Sequence, residues 1–442
     1  MSFKKLLPIF FVILSFGAKA NYMLVQNVTK VGNNPTNKTI QIQFDLSWQN
    51  SWRDSINWDA AWIFIKYKNA NGLWQHARLN LAGYLNGAGT SNIVKVASDS
   101  VGAFVYRSVL GSGNFNATSM QLQWNYGASG LTDASALEVR VFATEMVYVP
   151  EGDFNCAKEF KLWWSSEYIS ITASNNNFAV INKRMSPSVI YHDFFTDYQN
   201  IFERNTFALR IKGDVGIDIN NDGVVDNTNF PTGYRAFYCY KYELTEQQYA
   251  DFLNTLTGAQ ISNLGNASNG IYLSNSTYFS STPNKACGSS SVARFLSYGD
   301  WCGLRPMSFL EFNKVSYGPL QPVGQNFQTL GYPASGSANY TNNFNASSQL
   351  INVGSFANSI TDRSSSGSSY YGCMDLTGNA HEPVVRLSRL NFTNINGDGI
   401  LDINGNNNVL NWENSMVNYI DAFGGNIMSN DKHGFRYVRS AE

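Results

Sequence analysis

The chain is 442 residues long, more than one hydrophobic core usually supports, so two domains are expected. Lysine and arginine number 31 against 32 for aspartate and glutamate, a formal net charge of −1, which leaves no field for steering nucleic acid or an anionic membrane. Charged residues make up 14% of the chain and aromatic residues another 14%, with abundant Gly, Asn and Ser: the composition of an extracellular, loop-rich fold packed through aromatic rings.

In chain order, the first residues carry Lys4 and Lys5, then an apolar run from Leu6 to about Gly17, then Ala18-Lys19-Ala20. That is the pattern of a signal peptide over residues 1–20, cut before Asn21. The run is about a dozen residues, short of the roughly 20 that a spanning helix needs, and none like it follows. The expectation is a secreted chain in the periplasm, at the cell surface or outside, without membrane insertion.

Residues 21–145 read as strand after strand. Thr39 to Leu46, Ile63 to Tyr67 and Leu137 to Val141 alternate apolar and polar positions, with Gly and Asn clusters between them. A β-sandwich is expected. Five of the ten tryptophans, Trp48, Trp52, Trp58, Trp62 and Trp74, fall in its first half. They fill the sandwich core, or as an exposed row they stack on sugar rings; core filling is favoured.

Residues 146–442 open with a strand, Met146 to Phe154, closed by a Pro and Gly turn. Thr245-Glu246-Gln247-Gln248 is a capping box, after which Tyr249, Phe252 and Leu253 share one helical face. Ser308 to Glu311 repeats the box ahead of Phe312, and a helix from about Ser291 to Tyr298 is expected between the two. Beyond Val315 the chain should be mostly irregular. All five cysteines, Cys156, Cys239, Cys287, Cys302 and Cys373, lie in this part. Export would place them in an oxidising compartment, and an odd count leaves at least one outside any internal pair. Free buried thiols or one or two staples are expected.

Several segments together resemble the formylglycine-generating enzyme (sulfatase-modifying factor) family. Met146 to Phe154 is similar to its opening "MVxVPGGxF", and Tyr240 to Asn254 to its "xxEVTxxQYxxFxN" helix. Cys302 to Phe312 looks like "GxRLPTEAEWE", Asp375 to Glu382 like "DMxGNVWEW", and Gly434-Phe435-Arg436 like the closing "GFR". The resemblance implies an α+β chain: the β-sandwich, then a mixed α/β domain over 146–442, related to C-type lectins and with much irregular structure. It also implies calcium, held by Asp375 and Glu382 side chains and by the carbonyls of Gly378 and Ala380. A tight turn that aims oxygens at one point suits that ion independently; the alternative is that Glu382 only braces the turn.

Catalysis is where the resemblance fails. Active relatives bind copper through a cysteine pair close to "GFR", whereas no cysteine follows Cys373 here, and neither a thiolate pair nor a soft copper site is available there. The four histidines, His76, His192, His381 and His433, are scattered, so the iron-binding set of other relatives is missing too. No copper or iron is expected. His381 replaces the tryptophan of its motif, and Phe309 the first glutamate of "TEAEWE".

Two further stretches have calcium-loop spacing. Asp218, Asn220, Asp222 and Asp226 form a D-x-N-x-D-G-x-x-D pattern, and Asn394, Asn396, Asp398 and Asp402 repeat it with Asn first. Neither has the closing glutamate of an EF-hand. Calcium is slightly favoured for the first, and a metal-free Asx-turn hairpin is equally expected for the second. The leading functional expectation is a non-catalytic exported protein that binds or assembles with an exported or cell-surface protein partner, and not with nucleic acid. The alternatives are target or glycan binding by the C-terminal surface around Asn406 to Asn408 and Trp412 to Asn430, and an enzyme with a different oxidative or hydrolytic chemistry.

Overall fold

A computed structural model describes residues 23–152, 154–155, 180–181, 229–265, 270–288, 291–318, 350–357, 366, 368–376, 379–380, 382–385, 391–412, 419–422 and 434–442. The expected signal peptide, Cys156, Gly378 and the Asp218 to Asp226 stretch lie outside these residues.

The expected run of strands is present. β1 (Leu24–Asn34) and β2 (Thr39–Arg53) form a hairpin. β3 (Asp59–Lys68), β4 (Trp74–His76), β5 (Ala88–Gly89), β6 (Asn92–Val96), β7 (Ala103–Arg107), β8 (Gly111–Asn125) and β9 (Glu138–Val149) follow. β1, β2, β8 and β5 make a four-stranded sheet in that order. Ile40, Ile42, Phe44 and Leu46 alternate inward along β2, opposite Leu122 and Trp124 of β8.

The larger sheet crosses between the two parts of the chain. After the short pair β10 (Phe154–Asn155) and β11 (Val180–Ile181) comes β12 (Phe237–Tyr240). Next are α1 (Glu246–Leu253), α2 (Gly258–Leu264), the hairpin β13 (Ile271–Ser274) and β14 (Thr277–Ser280), and α3 (Val292–Trp301). β15 (Arg305–Pro306), α4 (Phe309–Tyr317), β16 (Glu382–Val385), paired with β17 (Tyr419–Ala422), and β18 (Tyr437–Ser440) complete the described elements. The sheet order is β15-β18-β12-β9-β3-β7-β6, with β4 beside β3. β9 pairs with β3 from Glu138 to Val147 and with β12 from Met146 to Val149. The expected boundary between residues 145 and 146 therefore falls inside one strand.

β3 shows why this sheet is the middle layer. Ala61, Ile63, Ile65 and Tyr67 face the four-stranded sheet, while Ala60, Trp62 and Phe64 face the helices, and both sets are buried. A strand buried on both faces belongs to a central layer. Of the five tryptophans, Trp48 and Trp62 fill the two cores, and Trp52, Trp58 and Trp74 are half-buried. No exposed row of rings is formed.

The expected helices form as α1, α3 and α4, capped by Thr245, Ser291 and Ser308, with reciprocal capping boxes at Thr245 and Ser308. Helix α2 adds a third box, Thr257 with Gln260, which the sequence reading overlooked. Among the described residues no helix is long and apolar enough to cross a membrane. Cys239, Cys287, Cys302 and Cys373 are all buried free thiols.

Candidate functional site

A cleft of about 340 Å³ opens where the sandwich meets the helical part. Phe64, Phe142, Thr144 and Glu145 form one wall, and Tyr240, Tyr242, Glu243, Tyr298 and Trp301 another, with Gln247, Gln248 and Asp251 of α1 between them. The Thr245 cap sets the first turn of α1, so Gln248 points back at β9 and donates through Nε2 to Thr144 Oγ1 at 3.2 Å. One turn along, Gln247 donates to Asp251 Oδ1 at 2.9 Å. Burial lifts the Asp251 carboxyl to about 6.

Behind one wall lies a buried node of charge. Lys241 Nζ pairs with Glu145 Oε1 at 2.5 Å and lies 4.7 Å from the Trp52 ring centre. Burial opposes the Lys241 ammonium, but Glu145, Tyr242 and Asp59 together leave the lysine above its ordinary range. Glu145 is pushed up to about 8, by burial first, against the pull of Lys241 and with Asp59 adding to the rise. Asp59 accepts from Trp48 Nε1, Ser51 Oγ and the Trp52 backbone at 2.8 to 3.0 Å.

A second cluster forms around the Asp375 to Glu382 turn. Asp375 and Asn379 adopt left-handed backbone, at φ 57° and 61°, a conformation that Asx residues tolerate. Asp375 Oδ2 accepts from the Gly354 backbone at 2.5 Å. Glu243 takes Asn379 Nδ2 at 2.5 Å and the Ala380 backbone N–H at 2.9 Å. Glu382 Oε1 accepts from Arg436 Nε at 3.0 Å, and its Oε2, fully buried, has no hydrogen-bond partner among the described residues. Arg436 also donates to the carbonyls of Tyr240, Lys241 and Met374. Burial, then repulsion from Glu382 and Asp375, holds the Glu243 carboxyl well above the usual range.

Asp375, Ala380 and Glu382 lie in this turn region. The structure adds Glu243 and Arg436, which the sequence reading quoted within motifs but did not single out. Among the described residues no group of three or more His, Cys, Asp or Glu side chains is arranged to hold a metal ion. The site implied by the resemblance needs only two such side chains, the remaining ligands being carbonyls.

In the second loop, Asp398 Oδ1 accepts from the Ile400 backbone, and Asp402 Oδ1 from the Asn404 and Asn406 backbones, each at 2.8 Å. These are Asx-turn bonds. Asn396 Oδ1 is buried without a hydrogen-bond partner among the described residues, while the Asn394 backbone donates to Asn229 O at 3.1 Å. The loop docks on Asp300, whose carboxylate accepts from the Asp398 and Asn408 backbones at 2.9 and 3.1 Å.

No family model, no curated protein and no solved structure matches the chain.

Proposed function

We propose that the protein is an exported, non-catalytic binding or assembly protein that takes an exported or cell-surface partner in the cleft between β9 and α1. The observation that supports this reading is the use made of the buried charges. Lys241 is paired with Glu145 in the cleft wall, while the pairs Arg305 with Glu311 and Arg436 with Glu382 lie away from the cleft lining. The cleft lining offers rings, amides, the buried carboxyls of Glu145 and Glu243 and the half-buried Asp251, which suit recognition. A glycan is the second reading, favoured by Tyr242 beside the planar side chains of Gln247, Gln248 and Asp251.

The test is capture from native envelope extract and a glycan array, both read with the full chain and with its Gln247→Ala/Asp251→Ala variant. Recurrent capture or glycan binding that the variant loses is expected. A chain that retains nothing in either format, or a variant that binds unchanged, sinks the reading.

Calcium belongs to the same proposal, held by Asp375 and Glu382 with the carbonyls of Gly378 and Ala380. The residues present fit a cation. Three buried carboxyls, Glu243, Asp375 and Glu382, surround the single positive charge of Arg436, and Glu382 Oε2 is left without a hydrogen-bond donor. Metal analysis of the purified chain is expected to find at least one equivalent of calcium, with a melting temperature lowered by chelator. Stoichiometric copper or iron would overturn the non-catalytic reading.

A further inference from the structure

We infer that Cys239 and Cys373 form a disulfide in the mature protein, joining a central strand of the larger sheet to the loop that carries Asp375. The inference deepens the proposed function and rests on its export reading, since a buried dithiol is oxidised and kept so in an oxidising compartment.

Cys239 sits on β12 between Val147 of β9 and Val438 of β18, a position fixed from both sides. Cys373 is held beside it from a different direction. The Met374 backbone donates to the Lys241 carbonyl at 2.7 Å, and Arg436 bridges the carbonyls of Tyr240, Lys241 and Met374. The Cys373 backbone is fixed in turn by Ser369, whose Oγ accepts from it at 3.1 Å. Burial, and then the neighbouring Cys373 thiol, raises the Cys239 thiol, and neither side chain has exposed surface; Cys239 Sγ donates to the Tyr240 carbonyl at 3.5 Å. A disulfide of roughly 2.0 Å between them would join two segments that the Met374 to Lys241 backbone bond already holds together. Cys302 donates to the Gly299 carbonyl at 3.4 Å.

The oxidant is a small-molecule or protein disulfide. One cysteine thiolate attacks it, expelling a thiolate and forming a mixed disulfide; the second thiolate then displaces the other half. Two protons and two electrons leave the chain, and the oxidant is reduced to two thiols. Burial raises the Cys239 thiol well above its ordinary range, so in the folded chain this thiol is a poor nucleophile. The exchange belongs to the stage before the core closes.

The experiment is to refold the denatured chain in a glutathione redox buffer, quench, alkylate, digest and map the cysteines by mass spectrometry. The expected result is a Cys239–Cys373 linked peptide, absent from the Cys239→Ala and Cys373→Ala variants and retained in Cys287→Ala. Reduction should lower the melting temperature by roughly 5 to 10 °C, as for opening a loop of more than a hundred residues. The same map, read on protein expressed behind an established periplasmic leader, gives an answer where refolding fails. Free Cys239 and Cys373 in both preparations, or linkage of either to another cysteine, overturns the inference. Neither readout depends on the chain's own leader, so fractionation of the native host tests export separately.

Discussion

Lys66 lies on β3 with 2% of its surface exposed, donates to the Gly399 carbonyl at 2.6 Å and stands 5.2 Å from the Trp301 ring centre. Burial brings its pKa down to about 7, against the pull of Asp300, Cys302 and Asp398. An unfolded lysine titrates near 10.5, so between about 7 and 10.5 the unfolded chain binds the extra proton. Stability should therefore rise with pH across that window. The Lys66→Met variant removes this contribution and leaves the Gly399 carbonyl without its donor, at a cost of roughly 1 kcal/mol. Urea unfolding at pH 6, 7 and 10 should show the variant falling further behind the parent as pH rises. A gap that is constant or narrows contradicts the assignment.

Arg436 is the opposite case, a buried charge that the fold needs. Removing it leaves Glu382, Glu243 and Asp375 together without a cation, so Arg436→Ala should lose about 3 to 5 kcal/mol in urea unfolding. Arg436→Lys should rescue little, because one ammonium cannot reach three carbonyls and a carboxylate as the guanidinium does. An unchanged midpoint in Arg436→Ala would show that these carboxyls are neutral or otherwise compensated. Glu243 and Arg436 were both visible in sequence motifs, but their meeting was not. Glu243 and Arg436 lie far apart in the chain, and nothing in local spacing says that burial forces two such residues together. The Asp59, Glu145 and Lys241 node was invisible for the same reason, each group coming from a different strand or strand end.

At the scale of elements, caps carried most of what the sequence disclosed. A hydroxyl followed three residues on by Gln or Glu satisfies two backbone donors at once, and this local chemistry announced α1 and α4. The same signal was present at Thr257 and Gln260, yet α2 was missed because Gly258 opens it and only Leu264 is buried along it. With so little apolar face, the helix gave no period to read. Its function is anchoring: Gln260 Nε2 donates to the Asp402 carbonyl at 2.9 Å and Asn263 Nδ2 to Asn404 O at 3.1 Å. Thr257→Ala should cost about 1 kcal/mol locally. Hydrogen exchange should then quicken over residues 258–264 and 402–406 together, with α1 unaffected. Faster exchange in α2 alone would separate the helix from the loop.

For the whole molecule, strand alternation gave the strand-rich character of the first part and the mixed α+β class, but the boundary at residue 145 was placed by where a motif begins. Alternation cannot show that one strand serves two cores, since β9 reads the same whichever neighbours it has. In the structure Met146 and Val147 pair with β3 and β12 at once, and Trp62, Phe64, Phe104 and Tyr106 turn from the sandwich toward the helical side. Cutting at 145 would remove the end of β9 and bare that apolar face, an exposed surface of the kind that drives association. A chain of residues 21–145 expressed alone should therefore aggregate or give a poorly dispersed amide spectrum, while the intact chain loses its β3, β9 and β12 protection in one cooperative step. A soluble, well-dispersed 21–145 fragment with unchanged strand protection would mean that the sandwich core between the two sheets suffices by itself, and that the shared strand joins two independent folding units.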